Sequence, residues 1–306
     1  MREQIERAIS EVEQVLFGKE KQIRLALTCI FSEGHLLIED LPGMGKTTLA
    51  HALARVLGLE YQRLQFTSDM LPADILGVNI FDPANNRFQF HPGPVFTQLL
   101  LADEVNRTTP KTQSALLEAM EERRVSLDSV THDLPVPFFV IATQNPITQY
   151  GTFPLPESQL DRFLMRIELG YPDAKAERTL LVGGDPRKRI DQLKQVIDSE
   201  QLHQISSACA AVKASDSIID YLQRLVQFSR QSDEFSYGIS PRGALALLNA
   251  CRSWAYIHNR EYVVPEDIQA LIGPVLGHRL RAADDVGNVS AQGMVQSLLN
   301  QVNVIS

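Results

Sequence analysis

The chain has 306 residues, of which 44% are hydrophobic and 22% charged, and its formal net charge at pH 7 is −8. This length predicts about two domains, and this balance is typical of a globular protein. The acidic charge argues against broad, non-specific binding to nucleic acids. No hydrophobic run approaches the roughly 18 residues that a membrane-spanning helix requires.

The charged start of the chain predicts a cytoplasmic protein, and the cysteine spacing bears on disulfides and metal sites. Residues 1–7 are charged and lack the hydrophobic stretch of a secretory signal. Cys29, Cys209 and Cys251 are far apart and form no C-x-x-C pair. We therefore expect buried thiols rather than disulfides or a zinc site.

Two helices are predicted within residues 1–33, because hydrophobic residues recur there at helical spacing. A short hydrophobic strand at 36–38 follows, then the sequence Asp-Leu-Pro-Gly-Met-Gly-Lys-Thr-Thr at 40–48, then another helical pattern. A strand, a glycine-rich turn, a Lys-Thr pair and a helix, in this order, are typical of a site that binds nucleotide phosphates.

The residue types of this loop suit a nucleoside triphosphate. Gly43 and Gly45 would let backbone N–H groups surround the phosphates. Lys46 would reach the β- and γ-phosphates, and the Thr47 hydroxyl would ligate Mg²⁺. The generic loop has glycine where this chain has Asp40, so a surface turn of similar sequence is the alternative explanation.

Residues 36–170 alternate between strands and helices. The predicted strands are short hydrophobic runs, typical of a parallel sheet that is buried on both faces, at 36–38, 61–66, 99–102, 138–143 and 165–169.

Two hairpins interrupt this alternation. The first comprises residues 77–90 with a turn at 83–86, and the second, with a weaker pattern, residues 125–134. Phe81, Phe88 and Phe90 of the first hairpin would either pack on the parent domain or face a pore or substrate, because a two-stranded ribbon cannot form a core alone.

The C-terminal part is predicted to be helical. Residues 171–173 end the first domain, and the Gly-Gly-Asp-Pro sequence at 183–186 predicts a linker. Strand patterns disappear from about residue 200, and helical patterns take their place at 202–212, 218–228, 241–257, 265–280 and 290–302.

Acidic residues follow the buried strand at 99–102. We expect Asp103 and Glu104 to lie beside the phosphate loop, because parallel sheets bind ligands at the carboxyl ends of their strands. Asp103 would hold Mg²⁺, usually through a water, and Glu104 would orient the attacking water. The alternative is that both acids only begin a helix.

Three further polar residues are candidates for nucleotide contact. Asn145 follows the next buried strand and would bond the γ-phosphate or the attacking water, with a plain Asn-Pro turn as the alternative. Arg162, before the last strand, suits either an internal salt bridge or a neighbouring subunit's phosphate, as an arginine finger. Arg242 is the second candidate arginine, with a solvated surface position as the alternative. Arg107 and Arg166 are rivals for the finger role.

In order and spacing these residues resemble the motifs of AAA+ ATPases. Lys46-Thr47 resembles Walker A, Asp103-Glu104 resembles Walker B, and Asn145, Arg162 and Arg242 resemble sensor 1, the arginine finger and sensor 2. The resemblance implies that ATP is bound by Phe17, Gly18, Pro42, Gly43, Met44, Gly45, Lys46, Thr47, Thr48 and Asp103, with Glu104, Asn145, Arg162 and Arg242 serving catalysis.

Longer stretches resemble the MoxR family more closely. They are GHLLIEDLPGMGKT at 34–47, PADILG at 72–77, ADEVNR at 102–107, ATQNP at 142–146 and LPESQLDRF at 155–163. The resemblance covers nearly the whole chain and is most specific between residues 34 and 170. This family tolerates substitution at Asp40.

The MoxR resemblance implies an α/β fold, an AAA+ P-loop NTPase. It consists of a parallel αβα sandwich at 1–185 and a C-terminal all-α helical lid at 186–306, with ATP and Mg²⁺ as cofactors. It also implies a helix-2 insert at about 72–95 and a pre-sensor-1 hairpin at about 123–137.

The same resemblance implies assembly and partners. Related proteins form hexameric homo-oligomeric rings with ATP sites between subunits, and Arg242 serves either its own or a neighbour's nucleotide. Family members are chaperone-like factors that mature protein complexes with von Willebrand factor A domain partners. A chelatase-type motor subunit that inserts metal and a DNA-dependent ring ATPase are the alternatives. The scarcity of Lys and Arg in the hairpins argues against DNA.

Overall fold

The computed structural model describes residues 1–145, 152–283 and 290–304. In chain order the strands are β1 His35–Glu39, β2 Tyr61–Gln65, β3 Gly77–Asp82, β4 Arg87–Pro92, β5 Leu99–Asp103, β6 Arg124–Leu127, β7 Val130–Asp133, β8 Phe139–Gln144, β9 Phe163–Ile167, β10 Phe235–Tyr237 and β11 Arg281–Ala282.

The helices, in the same order, are α1 Arg2–Glu13, α2 Glu20–Phe31, α3 Lys46–Val56, α4 Pro72–Leu76, α5 Pro110–Glu122, α6 Glu157–Leu160, α7 Ala174–Gly183, α8 Ser199–Ala210, α9 Asp216–Gln231, α10 Pro241–Ile257, α11 Pro265–Leu276 and α12 Ala291–Gln301. Among the described residues, no helix is both long and hydrophobic enough to cross a membrane.

A five-stranded parallel sheet in the order β2-β5-β8-β1-β9 organises the N-terminal part. Its central strands β5 and β8 are fully buried, which explains their continuous hydrophobic runs. The five predicted strands are confirmed to within two residues at each end. Because all five run in one direction, the loops after β1, β5 and β8 meet at one edge of the sheet, the carboxyl edge.

Both predicted hairpins are present, as β3–β4 and β6–β7. They contact each other, since Asn79 Nδ2 donates to Asp128 Oδ2 at 2.7 Å. Phe90 stacks on His132 of the second hairpin with ring centroids 4.0 Å apart, and it also meets Phe96 edge to face at 5.4 Å, so this aromatic residue packs on the parent domain. Phe81 and Phe88 pair edge to face at 5.4 Å and remain 46% and 71% exposed. Packing on the parent domain is therefore confirmed for Phe90, and the exposed Phe81 and Phe88 leave the prediction of a pore or substrate contact open.

The C-terminal helices pack on the sheet domain and share its hydrophobic core, which extends from Ile5 to Val302. The five predicted helices are confirmed, but β10 and β11 form a small antiparallel pair that the expectation of an all-helical region did not include. The break predicted at 183–186 coincides with the end of α7, where Gly184 has a φ of 73°.

All three cysteines lie in the described part of the chain, buried and without a disulfide. Burial raises the pKa of Cys209 to about 12, so this thiol stays protonated. The prediction of buried thiols is confirmed.

Candidate active site

The loop between β1 and α3 is shaped to surround an anion. Gly43 and Gly45 have φ values of 87° and 94°, a left-handed conformation that favours glycine. A Cβ atom on Gly45 would also approach Leu16 to 2.9 Å. The turn leads directly into the first N–H groups of α3, where the helix dipole favours negative charge.

Lys46 is buried at the base of this loop. Its ammonium group donates to the Asp40 carbonyl at 2.6 Å and to Asn145 Oδ1 at 3.1 Å. Burial lowers the pKa of Lys46, while nearby carboxylates, Asp40 first among them, oppose this shift. The ammonium thus forms a partly desolvated positive centre, which is suited to a phosphate group.

Asp40, which departs from the generic loop sequence, has a defined structural role. Its Oδ2 accepts hydrogen bonds from the backbone N–H groups of Leu169 and Gly170 at 2.8 and 2.7 Å. Its Oδ1 accepts from the N–H of Leu41 at 2.8 Å. The side chain therefore ties the phosphate loop to the chain that leaves β9, a contact that sequence reasoning did not foresee.

Asp103, at the end of β5, has both carboxylate oxygens occupied. Oδ1 accepts the Thr143 hydroxyl at 2.6 Å, and Oδ2 accepts Nε and NH2 of Arg63 at 3.1 and 2.7 Å. The residue is buried. These bonds hold one oxygen toward the sheet and the other toward Arg63.

Glu104 follows in a left-handed conformation, with a φ of 59°, that few non-glycine residues adopt. Thr143 Oγ1 accepts its backbone N–H at 2.8 Å. Its carboxylate accepts hydrogen bonds from Asn145 Nδ2 at 3.0 Å and Gln65 Nε2 at 2.9 Å, and Arg107 pairs with it at 3.0 Å. Backbone strain at a site residue is often retained for function.

Asn145 links the positive and negative sides of the site. Its side-chain oxygen accepts from Lys46 while its amide group donates to Glu104. The residue is almost completely buried, so the amide is held in one orientation. The sequence-predicted residues Lys46, Asp103, Glu104 and Asn145 therefore lie together at the carboxyl edge of the sheet.

A cavity of about 570 Å³ opens over these groups, within the usual size range for small-molecule sites. The predicted residues that line it are Phe17, Pro42, Gly43, Met44, Gly45, Lys46, Thr47, Thr48, Asp103, Glu104 and Asn145. The lining also includes Lys19, Pro172 and Leu180. A separate cavity of about 520 Å³ lies between α2, α11 and α12, and its lining includes the rival arginine Arg166 but none of the residues predicted to bind ATP.

Gly18 was predicted to contact nucleotide but does not line this cavity in the described structure. Its φ is 66°, and a Cβ atom there would meet the Cβ of Ala176 at 3.0 Å. The glycine instead permits a turn close to α7, while its neighbour Phe17 faces the cavity.

Arg162 and Arg242 lie elsewhere. Arg162 precedes β9, so it lies at the amino edge of the sheet, about 16 Å from the carboxyl edge for a strand of five residues. Its Nε pairs with Glu121 Oε2 at 3.0 Å, and Arg242 NH1 pairs with Glu121 Oε1 at 3.1 Å. The predicted salt bridge of Arg162 is present, and in the described chain neither arginine lines the cavity.

The rival arginines are also placed. Arg107 pairs with Glu104 of its own chain, and Arg166 pairs with Glu39 at 3.1 Å. Sequence reasoning missed Arg63 and Gln65, which both contact the acidic pair. Their i, i+2 spacing in the strand predicted at 61–66 puts both on one face of that strand, and its pairing with β5 brings that face to the acids.

Comparisons with known proteins agree with a nucleotide site at the carboxyl edge of the sheet. A family model described as ATPase family associated with various cellular activities (AAA) matches residues 35–165, and an AAA lid domain model matches residues 227–297. A crystal structure of a provisionally assigned ATPase of Cytophaga hutchinsonii has a TM-score of 0.88 and 35% identity, covering 100% of this chain and 96% of that one.

Similar curated proteins span most of the chain. The uncharacterized protein YeaC of Bacillus subtilis is 42% identical over 97% of this chain and 94% of its own length. Chaperone MoxR1 of Mycobacterium tuberculosis is 39% identical over 90% and 75%, and Protein MoxR of Methylorubrum extorquens is 33% identical over 88% and 85%. Identity of this extent, joined to the phosphate loop and acidic pair described above, shows that the chain belongs to the MoxR family of AAA+ ATPases.

Proposed function

We propose that this ATPase hydrolyses ATP at sites shared between neighbouring subunits and uses the energy for chaperone-like remodelling or maturation of protein complexes. The observation that carries the proposal is the separation of the predicted catalytic groups. Lys46, Glu104 and Asn145 lie at the carboxyl edge, whereas Arg162 and Arg242 lie at the opposite edge. A second copy of the chain is then needed to bring an arginine to the terminal phosphate.

The groups at the carboxyl edge suit phosphate and metal binding. Lys46 and the N–H groups of the loop would bind the phosphates. Thr47 and Asp103 offer a hydroxyl and a carboxylate, the oxygen donors that Mg²⁺ prefers, and both line the cavity. When bound, Mg²⁺ offsets phosphate charge as the terminal bond breaks.

Glu104 and Asn145 would act on the attacking water. The Glu104 carboxylate is held by three donors, so it could accept a water's hydrogen bond without rearranging its backbone. Asn145 fixes the spacing between this carboxylate and Lys46. This arrangement supports water activation beside a bound triphosphate.

The amino edge offers an arginine cluster with excess positive charge. Glu121 accepts ion pairs from both Arg162 and Arg242, and Asp161 pairs with Arg242 at 3.7 Å and with Arg279 at 2.6 Å. Three guanidinium groups thus share two carboxylates. Because Arg162 and Arg242 are partly exposed, a neighbour's phosphate could replace their carboxylate partners.

Mixing two inactive variants tests the shared site. Arg162→Ala should bind ATP but lose turnover by about 10³-fold or more if the arginine stabilises the transition state, and Glu104→Gln should lose about 10²-fold or more. A mixture should recover part of the ATPase activity, because one subunit supplies an intact cavity and its neighbour an intact arginine.

The matched control mixes Glu104→Gln with Lys46→Ala. Both changes damage the cavity side of the interface, so this mixture should stay inactive. The absence of recovery with Arg162→Ala at every mixing ratio would contradict a shared site and assign the arginine to its own chain.

The remaining parts of the proposal concern assembly and partners. We expect a hexameric ring, a von Willebrand factor A domain partner and work in the cytoplasm, where reduced thiols persist. One relative is named a chaperone, and the exposed Phe81–Phe88 pair is a suitable contact for a protein client. Light scattering with and without a slowly hydrolysed ATP analogue would give the ring size.

A further inference from the structure

Arg63 lies inside the nucleotide cavity although no motif contains it. It lies on β2, an edge strand of the sheet, opposite Leu101 of β5. Gln65, two residues later, lies on the same face of the strand. The Arg63 side chain is 49% exposed and lines the cavity over the acidic pair.

The guanidinium of Arg63 neutralises Asp103. Two of its nitrogens reach one carboxylate oxygen, Oδ2, and the Asp103 side chain is only 9% exposed. A carboxylate this buried needs a cation, because its charge is otherwise costly to remove from water. Among the described residues, Arg63 is the cation within ion-pair distance of Asp103, since Lys46 donates instead to Asp40, Gln144 and Asn145.

Arg63 and Thr143 contact different oxygens of Asp103, and Arg63 contacts Oδ2. The other oxygen, Oδ1, accepts the Thr143 hydroxyl at 2.6 Å. The proposed function requires Asp103 to hold Mg²⁺, directly or through a water. The ion would then bind a carboxylate whose negative charge Arg63 already neutralises. A guanidinium and a divalent cation then compete for one carboxylate.

We propose that Arg63 is a built-in counter-ion of Asp103 that takes the place of divalent charge in the nucleotide-free protein and reduces the dependence of nucleotide binding on Mg²⁺. The inference rests on the proposed nucleotide site. Arg63 acts as a positioning residue, because its contact is to Asp103.

Two effects of Arg63 act in the same direction. Without Mg²⁺, its positive charge beside the cavity favours phosphate binding and prevents Asp103 from repelling the phosphates. With Mg²⁺, the Arg63 guanidinium must release Asp103. This cost reduces the increase in nucleotide affinity that Mg²⁺ provides. Removing Arg63 should therefore weaken binding without Mg²⁺ more than binding with Mg²⁺.

Equilibrium binding of a fluorescent ADP analogue tests this. Fluorescence anisotropy gives the dissociation constant in excess Mg²⁺ and in EDTA, and the ratio of the EDTA value to the Mg²⁺ value measures the dependence on Mg²⁺. For Arg63→Gln we expect this ratio to rise by about tenfold, the effect of losing one hydrogen-bonded charge pair.

Arg124→Gln is the matched control. Arg124 is also about half exposed and pairs with a carboxylate, Glu122, at 2.9 Å, but it does not line the cavity in the described structure. Its substitution removes the same charge and should leave the ratio unchanged.

A ratio for Arg63→Gln that equals or falls below the wild-type ratio would overturn the inference, because a purely structural role predicts equal losses in both conditions. If thermal unfolding shows that this variant does not fold, Arg63→Met decides the question. A methionine keeps much of the aliphatic side chain but removes the charge, so its ratio should also rise, and an unchanged ratio would contradict the inference. A wild-type protein that binds the analogue in neither condition would instead refute the proposed nucleotide site.

Discussion

The two edges of the central sheet differ in how their charged groups are held. At the carboxyl edge, Lys46, Asp103 and Asn145 are buried and hydrogen-bonded to one another or to neighbouring strands. At the amino edge, Arg162 and Arg242 share one partly exposed carboxylate, Glu121. The buried network is costly to rearrange, whereas exposed ion pairs are easily exchanged.

This difference suits the two parts of a shared site. Groups that must meet the nucleotide in fixed geometry are held by the fold before any ligand arrives, which lowers the cost of binding. Groups that must reach a neighbouring molecule keep replaceable partners. Three substitutions test this contrast, and a change of pH tests the burial of two histidines.

Lys46→Ala should weaken ATP binding about 10- to 100-fold, because the phosphate charge loses its buried, hydrogen-bonding cation. Titration calorimetry would measure the loss. Lys111→Ala, an exposed lysine at the start of α5, is the control and should bind ATP normally. Equal affinity in the Lys46 variant would remove the carboxyl edge from nucleotide binding.

Acid should destabilise the protein through two buried histidines. Burial lowers the pKa of His35 to about 4 and of His278 to about 3. Between pH 6.5 and these values the unfolded chain binds protons that the folded chain does not, so stability is fully present above about pH 6.5 and is lost as the pH falls. Each histidine contributes about 1.4 kcal/mol per pH unit to this loss.

Urea unfolding at pH 7, 6 and 5 would measure the slope. His203→Gln, a change at an exposed position of α8, should leave it unchanged. A free energy of unfolding that stays constant from pH 7 to pH 5 would show that the two imidazoles are not held neutral by burial.

Asp40→Gly, which restores the generic loop residue, should lower the free energy of unfolding by about 1 to 3 kcal/mol. The N–H groups of Leu169 and Gly170 lose their carboxylate acceptor, and glycine adds backbone freedom. Chemical denaturation would measure the change, with Asp40→Asn as the comparison that keeps one oxygen acceptor. A variant as stable as the wild type would show that the hydrogen bonds from the chain after β9 to Asp40 do not contribute to stability.

Glu121→Gln should change the free energy of unfolding by less than about 1 kcal/mol, because its ion pairs to Arg162 and Arg242 are partly exposed. The same denaturation experiment applies. A loss of stability as large as that of Asp40→Gly would contradict the difference between the two edges, since the ion pairs of the arginines would then be strong.

Much of the fold could be predicted because its signals are local. Short hydrophobic runs identified the strands that include β5 and β8, and glycine spacing identified the loop before α3. The acidic pair and Asn145 were expected at the carboxyl edge because strand direction alone brings them there. The small β10–β11 pair was missed because two or three residues carry too little pattern.

The amino-acid sequence by itself determined the phosphate loop, the acids that follow β5 and the family to which the chain belongs, because each depends on residues close together in the chain. Only the tertiary structure decided that Arg63 reaches Asp103, that Asp40 binds the chain after β9 and that Arg162 and Arg242 meet at Glu121. These partners lie about 40 to 130 positions apart. Strand order and helix packing set their distances, and no local pattern records either.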